Sequence, residues 1–526
     1  MPLRRPQPAT LLALGAAFAG LVSIVSALTP EFADRIDLIR GVLPPGVPEA
    51  ARVVALALGI ALVWLSRSLA RRKHRAWQLA VAAVVVSAVA HLAKGLDFEE
   101  ATVHLVLLAT LWRYRREFDA AGDPATLRPL ARVLLALGAL AGLVVVHVSF
   151  GMATSERIEE AAALLAFPLG FRAMYLWLRP YAQRVRQTPP ERSRAERLVH
   201  EHGADSLAFF ALRRDKSYFF SPTGRSFLAY RVVNGCALVT GDPIGERTEL
   251  AELLVAFRAL ARAHAWRVAL LGVGGELLDL YRSSGFRAIY LGDEAVVRPQ
   301  EFSLDGRPIR KVRQSVHRLE KAGYDVRIVS AGEADASLRA ELEDVSAEWR
   351  GRRPERGFTM AMDSICGHAE GMLAVAEGPD GRIGGFLQLV PSPASGGWSL
   401  AAMRRRGGTP NGLMEFLIVR TLDWARARGA AEVSLNFSVF GELLRADGRV
   451  SLVQRVLRFA LLRLDRFFQM ERLLSFNRKF FPLWRPRYIC LERALDAPLV
   501  GLAYLHAESL LTPPGPWVKT PDLAAR

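Results

Sequence analysis

Cysteine is scarce. The chain has three in 526 residues, Cys236, Cys366 and Cys490, scattered and without CxxC spacing. That excludes a disulfide framework and a cysteine-based zinc site, and it fits a reducing compartment for the segment that carries them. Several motifs are missing as well. There is no GxxxxGK[ST] phosphate loop, no GxSxG elbow, no HExxH and no zinc-deaminase signature. Acidic side chains are in deficit: 52 Asp and Glu face 69 Lys and Arg, for a formal net charge of +17. Such a chain works beside something anionic, either lipid headgroups or nucleic acid. Basic loops that obey the positive-inside rule account for part of the excess but not all of it.

What is present changes character near Arg179. Before it, apolar stretches at roughly 10–28, 51–66, 76–93, 101–112, 131–150 and 160–178 alternate with short, arginine-rich loops. After it, the composition is that of a basic soluble α/β protein. Most of the stretches approach the ~20 residues that cross a bilayer core. The 101–112 segment is short and counts as a span by parity and charge. Arg4 and Arg5, then Arg71, Arg72, Lys73 and Arg75, then Arg113, Arg115 and Arg116, then Arg179, Arg184 and Arg186 fall on alternate turns. The intervening turns carry Glu31, Asp34 and Asp37, then Asp97, Glu99 and Glu100, then Glu156, Glu159 and Glu160. The positive-inside rule then places the N-terminus and the large C-terminal domain in the cytoplasm, joined by about six spans. Val25-Ser26-Ala27 resembles a signal-peptide cleavage site, but the later spans favour a retained anchor. Arg172, inside the last run, is expected to snorkel. His91, His104 and His147 read as helix-packing residues, with nothing beside them to suggest a proton relay.

Residues 180–200 form a polar linker containing Pro and Arg that leads into a helix. A basic juxtamembrane segment of this kind is held to anionic lipid by about 1 kcal/mol per basic residue. From Ser206 onward strand-like and helix-like runs alternate. Phe227–Val233 and Ala237–Thr240 read as a hairpin closed by Asn234-Gly235. Gly241-Asp242-Pro243-Ile244-Gly245 is a tight turn before an amphipathic helix at 248–264; Val268–Val273 is a buried strand, and Leu277–Ser284 a helix ending at Gly285. A second set follows the basic helix Arg307–Gly323: strand Val326–Val329, helix Ala336–Arg350, paired strands Ile383–Val390 and Trp398–Met403, helix Gly412–Arg428 closed by Gly429, and strand Glu432–Asn436. The repeated order of elements, without a letter-by-letter repeat, suggests a duplicated α/β unit.

Three stretches carry chemistry. Arg307–Lys321 holds Arg310, Lys311, Arg313, Arg318 and Lys321, with Arg310, Arg313 and His317 along one stripe. It reads equally as a phosphate-contacting face for nucleic acid and as a solvated helix. Met403–Phe416 delivers Arg404, Arg405 and Arg406 from a strand into a Gly/Pro loop before a helix, where guanidinium forks beside a helix N-terminus suit a phosphate. Glu415 in that first turn either accepts a proton, holds an amine, or only complements the helix dipole. Phe476–Tyr488 interleaves Lys479, Trp484, Arg487 and Tyr488, as at a lipid-headgroup interface, an RNA end or a packed C-terminal segment. Gly272-Val273-Gly274-Gly275 is read as a plain strand-to-helix turn, and Asp242 either lines a site or satisfies turn amides.

A set of pieces, in order, completes the pattern. Asp215-Lys216 precedes Tyr218-Phe219-Phe220-Ser221; Gly241-Asp242-Pro243-Ile244-Gly245 and Gly292-Asp293-Glu294-Ala295 follow; then come Phe302-Ser303-Leu304, Gly306, Ser346, Trp349 and Glu355-Arg356-Gly357-Phe358. Met403-Arg404, Gly412, Glu415-Phe416-Leu417, Lys479-Phe480, Pro482, Trp484 and Arg487-Tyr488 close it. Over roughly 200–492 the chain resembles the aminoacyl-phosphatidylglycerol synthase family, the multiple peptide resistance factor type best known as phosphatidylglycerol lysyltransferase, in a short form without an appended tRNA synthetase. The resemblance implies a multi-span helical membrane domain at 1–178, a basic linker at 179–200 and two tandem acetyltransferase-like (GNAT-like) units, at 201–323 with the connecting basic helix and at 324–495, before a tail at 496–526. It implies transfer of an aminoacyl group, lysyl first, from aminoacyl-tRNA to phosphatidylglycerol in the cytoplasmic leaflet of a bacterial cell membrane, without metal or nucleotide cofactor. The product is a cationic lipid that lowers the membrane's negative charge and gives resistance to cationic antimicrobial peptides.

On this reading Arg404, Glu415, Asp242 and Lys479 are the catalytic candidates, Arg310, Lys311, Arg313 and Arg318 contact tRNA, and Arg405, Trp484, Arg487 and Tyr488 contact lipid. The sequence departs from the family's pattern at Ala401, where an acidic residue commonly precedes the Met-Arg pair, and in a shorter membrane half. Two alternatives accompany it: an aminoacyltransferase with a peptidoglycan precursor or another amine as acceptor, and a lipid flippase with a regulatory soluble domain.

Overall fold

A computed structural model of the chain describes residues 8–29, 47–149, 155–439 and 470–511. Arg4, Arg5, Glu31, Asp34 and Asp37 of the charge pattern lie outside the described residues, as do the side chains of His147, Glu156, Glu159 and Glu160. The chain divides into two compact units, residues 1–183 with 259–266, and residues 184–258 with 267–526.

The first unit has six long helices among the described residues: α1 (Pro8–Leu28), α2 (Val47–Leu69), α3 (His74–Gly95), α4 (Phe98–Arg113), α5 (Leu127–Ser149) and α6 (Ser155–Leu178). Four segments are long and apolar enough to cross a membrane, Pro8–Leu28, Val47–Leu69, His74–Gly95 and Pro124–Leu143; α4 has 16 residues, and the apolar part of α6, Leu164–Leu178, is also shorter. About six spans were expected; among the described residues four helical segments have the length and apolarity of full spans. Helices α1 and α2 meet at glycines: a Cβ on Gly20 would stand 2.6 Å from the Gly59 carbonyl oxygen, and one on Gly59 2.8 Å from that of Gly20. Small residues are what let two backbones approach this closely inside a bilayer. Ala16, Leu62, Leu65, Ala80, Leu107 and Leu111 pack between the helices, while Leu14, Leu135, Leu164 and Phe167 stay exposed, as a hydrocarbon solvent permits.

In the second unit, α7 (Pro189–His202) starts on a capping box in which the Glu191 carboxylate accepts from the Thr188 backbone N–H at 2.8 Å and the Thr188 hydroxyl from that of Glu191. The unit is built on one sheet of twelve strands: β1 (Ser217–Phe220), β2 (Ser226–Val233), β3 (Cys236–Thr240), β4 (Ile244–Gly245), β5 (Arg267–Val273), β6 (Arg287–Val297), β7 (Asp325–Ser330), β8 (Met372–Glu377), β9 (Ile383–Ser392), β10 (Gly397–Arg405), β11 (Val433–Val439) and β12 (Leu483–Leu491). The spatial order is β1-β2-β3-β5-β12-β6-β11-β10-β9-β8-β7, with β4 on β2. Only β3/β5 and β10/β11 are parallel. Parallel neighbours need a crossover, and each pair has its helix: α8 (Leu250–Ala263) joins β3 to β5, and α12 (Leu413–Ala427) joins β10 to β11. The expected hairpin closes at Asn234-Gly235 with φ of 49° and 73°, the type I′ signature.

The remaining helices are α9 (Leu278–Ser283), α10 (Arg310–Lys321), α11 (Ala336–Arg350), α13 (Met470–Asn477) and α14 (Ala497–Ala507). On α10, Val312, Val316 and Leu319 are buried, and the basic side chains fill the rest of its circumference. Helix α12 starts where α10 passes: Gly412 has φ of 98°, and a Cβ there would lie 2.6 Å from the Ser315 Cβ. Strands β1, β6, β8 and β12 were not anticipated from the sequence. The stretch read as interleaved cations and aromatics ends in β12, a central strand inserted between β5 and β6, so segments 201–323 and 324–495 are stitched into one sheet.

Candidate active site

Two crevices open at the carboxyl ends of the two parallel strand pairs, the place where α/β sheets bind ligands. At the first pair, β10 and β11 are in register at Trp398–Val433 and Ser399–Ser434, while β11 stays paired with β6 as far as Val439. Asn436, at φ of 74°, bridges the opening: its amide donates to the carbonyls of Leu400 (3.2 Å) and Met360 (3.1 Å). Ala401 is the extra residue of a bulge on β10. Arg404 follows, nearly buried, donating to Ser346 Oγ on α11 and to Glu355 Oε1, with its guanidinium carbon 5.5 Å from the Trp349 ring centre. Arg404, Trp349 and Glu355 line a cavity of about 200 Å³ whose wall also carries Arg350, Arg353 and Arg356, with the Glu343 carboxyl close enough to feel the charges of Arg404 and Arg350. Burial pushes the Glu355 carboxyl up, but Arg404 and then Arg350 outweigh it and hold it below the usual carboxylate range. The crevice is thus an anion site by charge. Arg405 lies half-buried on the other face of β10, and Arg406 is taken by Glu348 at 2.9 Å.

The second crevice, at β3/β5, holds a cavity of about 680 Å³. Asp242 Oδ2 accepts from the Gly274 N–H at 3.0 Å and its Oδ1 from the Tyr281 hydroxyl. Arg487, from β12, is buried beside it, donating to Asp205 Oδ2 (2.6 Å), Ser206 Oγ (2.8 Å) and Glu294 Oε2 (3.0 Å from Nε). Arg247–Glu276 and Arg485–Glu432 are further pairs on its wall, so three carboxylates, Asp205, Asp242 and Glu294, share the one guanidinium of Arg487. Burial first and the Asp205 carboxylate second push Asp242 up to about 6. Gly272–Gly275 is the plain turn expected after β5, and its Gly274 N–H serves Asp242.

The four catalytic candidates therefore do not converge. Arg404 and Asp242 line different cavities, and Glu415, in the first turn of α12, pairs with Lys479 Nζ at 2.7 Å. That pair sits near the basic helix, since Arg318 donates to the Asn411 carbonyl at 3.2 Å at the head of α12. Arg310, Lys311 and Arg318 are exposed. Arg313 departs from the expected stripe: its guanidinium turns back onto the carbonyls of Leu304 and Gly306, pinning the 304–306 loop. Among the lipid candidates, Arg487 has its donors taken by buried carboxylates and a hydroxyl, Trp484 packs on the core under α12, and Tyr488 stands edge-to-face with Tyr290 at 6.2 Å. Asp205, Ser206 and Tyr281 were not singled out from the sequence. Their only signal is a partner 39 to 282 residues away.

Residues 196–491 match the family described as phosphatidylglycerol lysyltransferase, C-terminal. A lysylphosphatidylglycerol biosynthesis bifunctional protein LysX from Mycolicibacterium vanbaalenii is 32% identical over 505 residues, covering 88% of this chain and 46% of that protein. The Rhodococcus jostii protein of the same name is 36% identical over 322 residues, covering 60% of this chain and 29% of that one. The chain thus spans less than half the length of these curated relatives. The structure of L-PGS from Bacillus licheniformis superposes with a TM-score of 0.54 at 24% identity, over 60% of this chain and 95% of that one, and so shares the fold of the second unit. With the match covering more than half of its residues, the chain belongs to the phosphatidylglycerol lysyltransferase C-terminal family.

Proposed function

We propose that the chain is a membrane-bound aminoacyltransferase that moves a lysyl group from lysyl-tRNA to a glycerol hydroxyl of phosphatidylglycerol. The observation that carries this reading is the guanidinium-lined crevice at the end of β10, where Arg350, Arg353 and Arg356 join Arg404 on the wall. A phosphodiester that enters it meets a surplus of guanidinium groups and fork-shaped donors. In the reaction the lipid hydroxyl attacks the acyl carbon, a tetrahedral oxyanion forms, the ester bond to the tRNA ribose breaks, and the ribose oxygen leaves with the proton the lipid gave up. One ester replaces another, so no nucleotide is spent, and positioning of the two substrates supplies much of the rate.

We assign Arg404 to the lipid phosphate or the developing oxyanion, and Glu415, held by Lys479, to the amino group of the donor. Arg310, Lys311 and Arg318 on α10 are assigned to tRNA phosphates; Arg313, engaged with its own loop, is not. The positive-inside pattern supports a cytoplasmic soluble unit, where tRNA is available. Adding a lysyl group turns an anionic headgroup into a cationic one, which favours resistance to cationic peptides. The test is thin-layer analysis of lipids from a host without aminoacylated lipids that expresses the chain. A new spot positive for both phosphate and ninhydrin, releasing lysine on hydrolysis, is expected. No such spot with lysyl-tRNA present refutes the reading.

A further inference from the structure

Two histidines of the helical unit, read from the sequence as packing residues, are fully buried between helices and meet polar partners there. Ser23 on α1 places its Oγ 3.1 Å from His91 Nε2 on α3 and 3.1 Å from His104 Nε2 on α4, with Ser87 Oγ 3.3 Å away. All four side chains are fully buried, and the imidazole centres are 5.3 Å apart. Toward the α3–α4 turn, Lys94 Nζ donates to Asp97 Oδ2 (2.8 Å), to the Ser26 carbonyl (2.8 Å) and to Ser26 Oγ (2.9 Å). Asp97 Oδ2 stands 3.8 Å from His91 Nδ1.

One placement of hydrogens, assigned from the network, satisfies these contacts. His104 Nδ1 is 2.8 Å from the Glu100 carbonyl, which only accepts, so Nδ1 carries the hydrogen and Nε2 of the neutral ring is bare. Ser23 donates to that lone pair, and its oxygen accepts from His91 Nε2–H. His91 Nδ1 is left as a fully buried lone pair without a hydrogen-bond partner among the described residues, facing Asp97. Ionisable groups held inside a membrane helix bundle mark functional sites.

We propose that His91, Ser23 and His104 form a proton-binding site that takes up one proton at His91 Nδ1 and shares it between the two imidazoles. The proton that arrives makes His91 an imidazolium. Its Nε2–H passes to the Ser23 oxygen as Ser23 passes its own hydrogen to His104 Nε2. The charge then sits on His104, and His91 is neutral with its hydrogen on Nδ1. One proton enters, none is lost, and only N–H and O–H bonds change. The groups near this site are the hydroxyls of Ser23 and Ser26 on α1; Arg52 is the cation that α2 brings to this end of α1, its Nε donating to the Ala27 carbonyl at 2.6 Å. Ser87 and Lys94 on α3, Asp97 in the turn, and Glu99 and Glu100 at the start of α4 complete them. The helical unit is then a proton-responsive element in its own right, independent of aminoacyl transfer.

The test is ¹⁵N NMR of the full-length chain, labelled at histidine, in nanodiscs of phosphatidylglycerol and phosphatidylethanolamine, titrated from about pH 8 to about pH 4. Signals are assigned with His91→Gln and His104→Gln. The expected result is opposite tautomers at the alkaline end, Nε2–H for His91 and Nδ1–H for His104, and one common midpoint for both rings. Ser23→Ala, which removes one hydroxyl, is expected to split that midpoint into two. Identical tautomers, separate midpoints in the parent chain, or no change of N–H state across the range each overturn the proposal. The parent chain alone decides should Ser23→Ala fail to fold.

Discussion

Arg404→Ala separates a substrate-binding role from a structural one. The side chain makes two hydrogen bonds, to Ser346 and to Glu355, the second with a charge on both partners. Bonds to charged groups contribute about 1.5–3 kcal/mol each. Glu355 would not be orphaned, because Arg350 also holds it. Two such bonds amount to about 3–6 kcal/mol, and with Glu355 still paired the stability loss should fall at the lower end, about 3 kcal/mol. Loss of a donor aimed at an oxyanion costs about 10²–10³ in kcat, so activity should fall much further than the fraction folded.

The assay is the initial rate of lysyl transfer by full-length protein in phosphatidylglycerol nanodiscs, beside a thermal melt of the same samples. Arg404→Ala is expected to lower kcat about 10²- to 10³-fold. Arg404→Lys, which keeps the charge but loses the fork, should fall between. Glu355→Gln leaves Arg404 on Ser346 and should lose less than about tenfold, a barrier change under ~1.4 kcal/mol. A loss under about tenfold for Arg404→Ala in folded protein refutes the contact with substrate. Equal damage from Glu355→Gln makes Arg404 a prop for the 355 loop instead.

Three further outcomes follow from named contacts. Combined Arg310→Glu, Lys311→Glu and Arg318→Glu should raise KM for tRNA and flatten its salt dependence by about two to three in log–log slope, while Arg313→Gln should lower Tm and leave that slope alone. Asp242→Asn should match the parent at pH 4 and exceed its stability at pH 7 by up to about 3 kcal/mol, read from melts across the range. The sign follows from its position: a carboxyl group raised to about 6 in the fold binds its proton more tightly folded than unfolded, so stability declines as pH rises through the interval up to 6. Arg487→Met should cost about 3–5 kcal/mol, because Glu294 would remain buried without its cation and the half-buried Asp205 would lose its partner; a Tm within a degree or two of the parent contradicts this.

Helix Ala336–Arg350 was legible to the residue, and so was the hairpin at Asn234-Gly235, because caps, apolar spacing and turn chemistry are local signals. Strand β12 was not. Pro486 lies in its middle, and a proline argues against a central strand unless the pairing is irregular there; the register with β6 shifts between Arg487 and Tyr488. Its cations looked like a surface because their partners, Glu294 for Arg487 and Glu432 for Arg485, are remote in sequence. Arg404, Asp242 and Glu415 were each singled out as candidates from local sequence. Their separation into distinct places was not legible there, because it depends on which strands run parallel. The histidine pair was missed for the same reason: helical spacing shows that a residue faces inward, not what it meets there.

The deficit of acidic residues takes a spatial form in the fold. At β3/β5, three carboxylates gather on Arg487; at β10/β11, Arg350 and Arg404 hold Glu355, and Arg353 and Arg356 line the same cavity. The crevices have the same topological origin, a strand, a crossover helix and a parallel strand, but opposite charge. A phosphate is drawn to the second and repelled by the first, at distances where a half-buried pair interacts by several kcal/mol (~4 kcal/mol at 4 Å with an effective dielectric of ~20). Ala401 sharpens the contrast, because an acidic side chain on that bulge would have returned a carboxylate to the arginine-lined wall. Reversing it is therefore informative: Ala401→Asp adds a negative charge beside Arg404, and if the lipid phosphate docks there, KM for phosphatidylglycerol should rise about tenfold or more while KM for tRNA stays within about twofold. An unchanged KM for the lipid would move the phosphate out of this crevice.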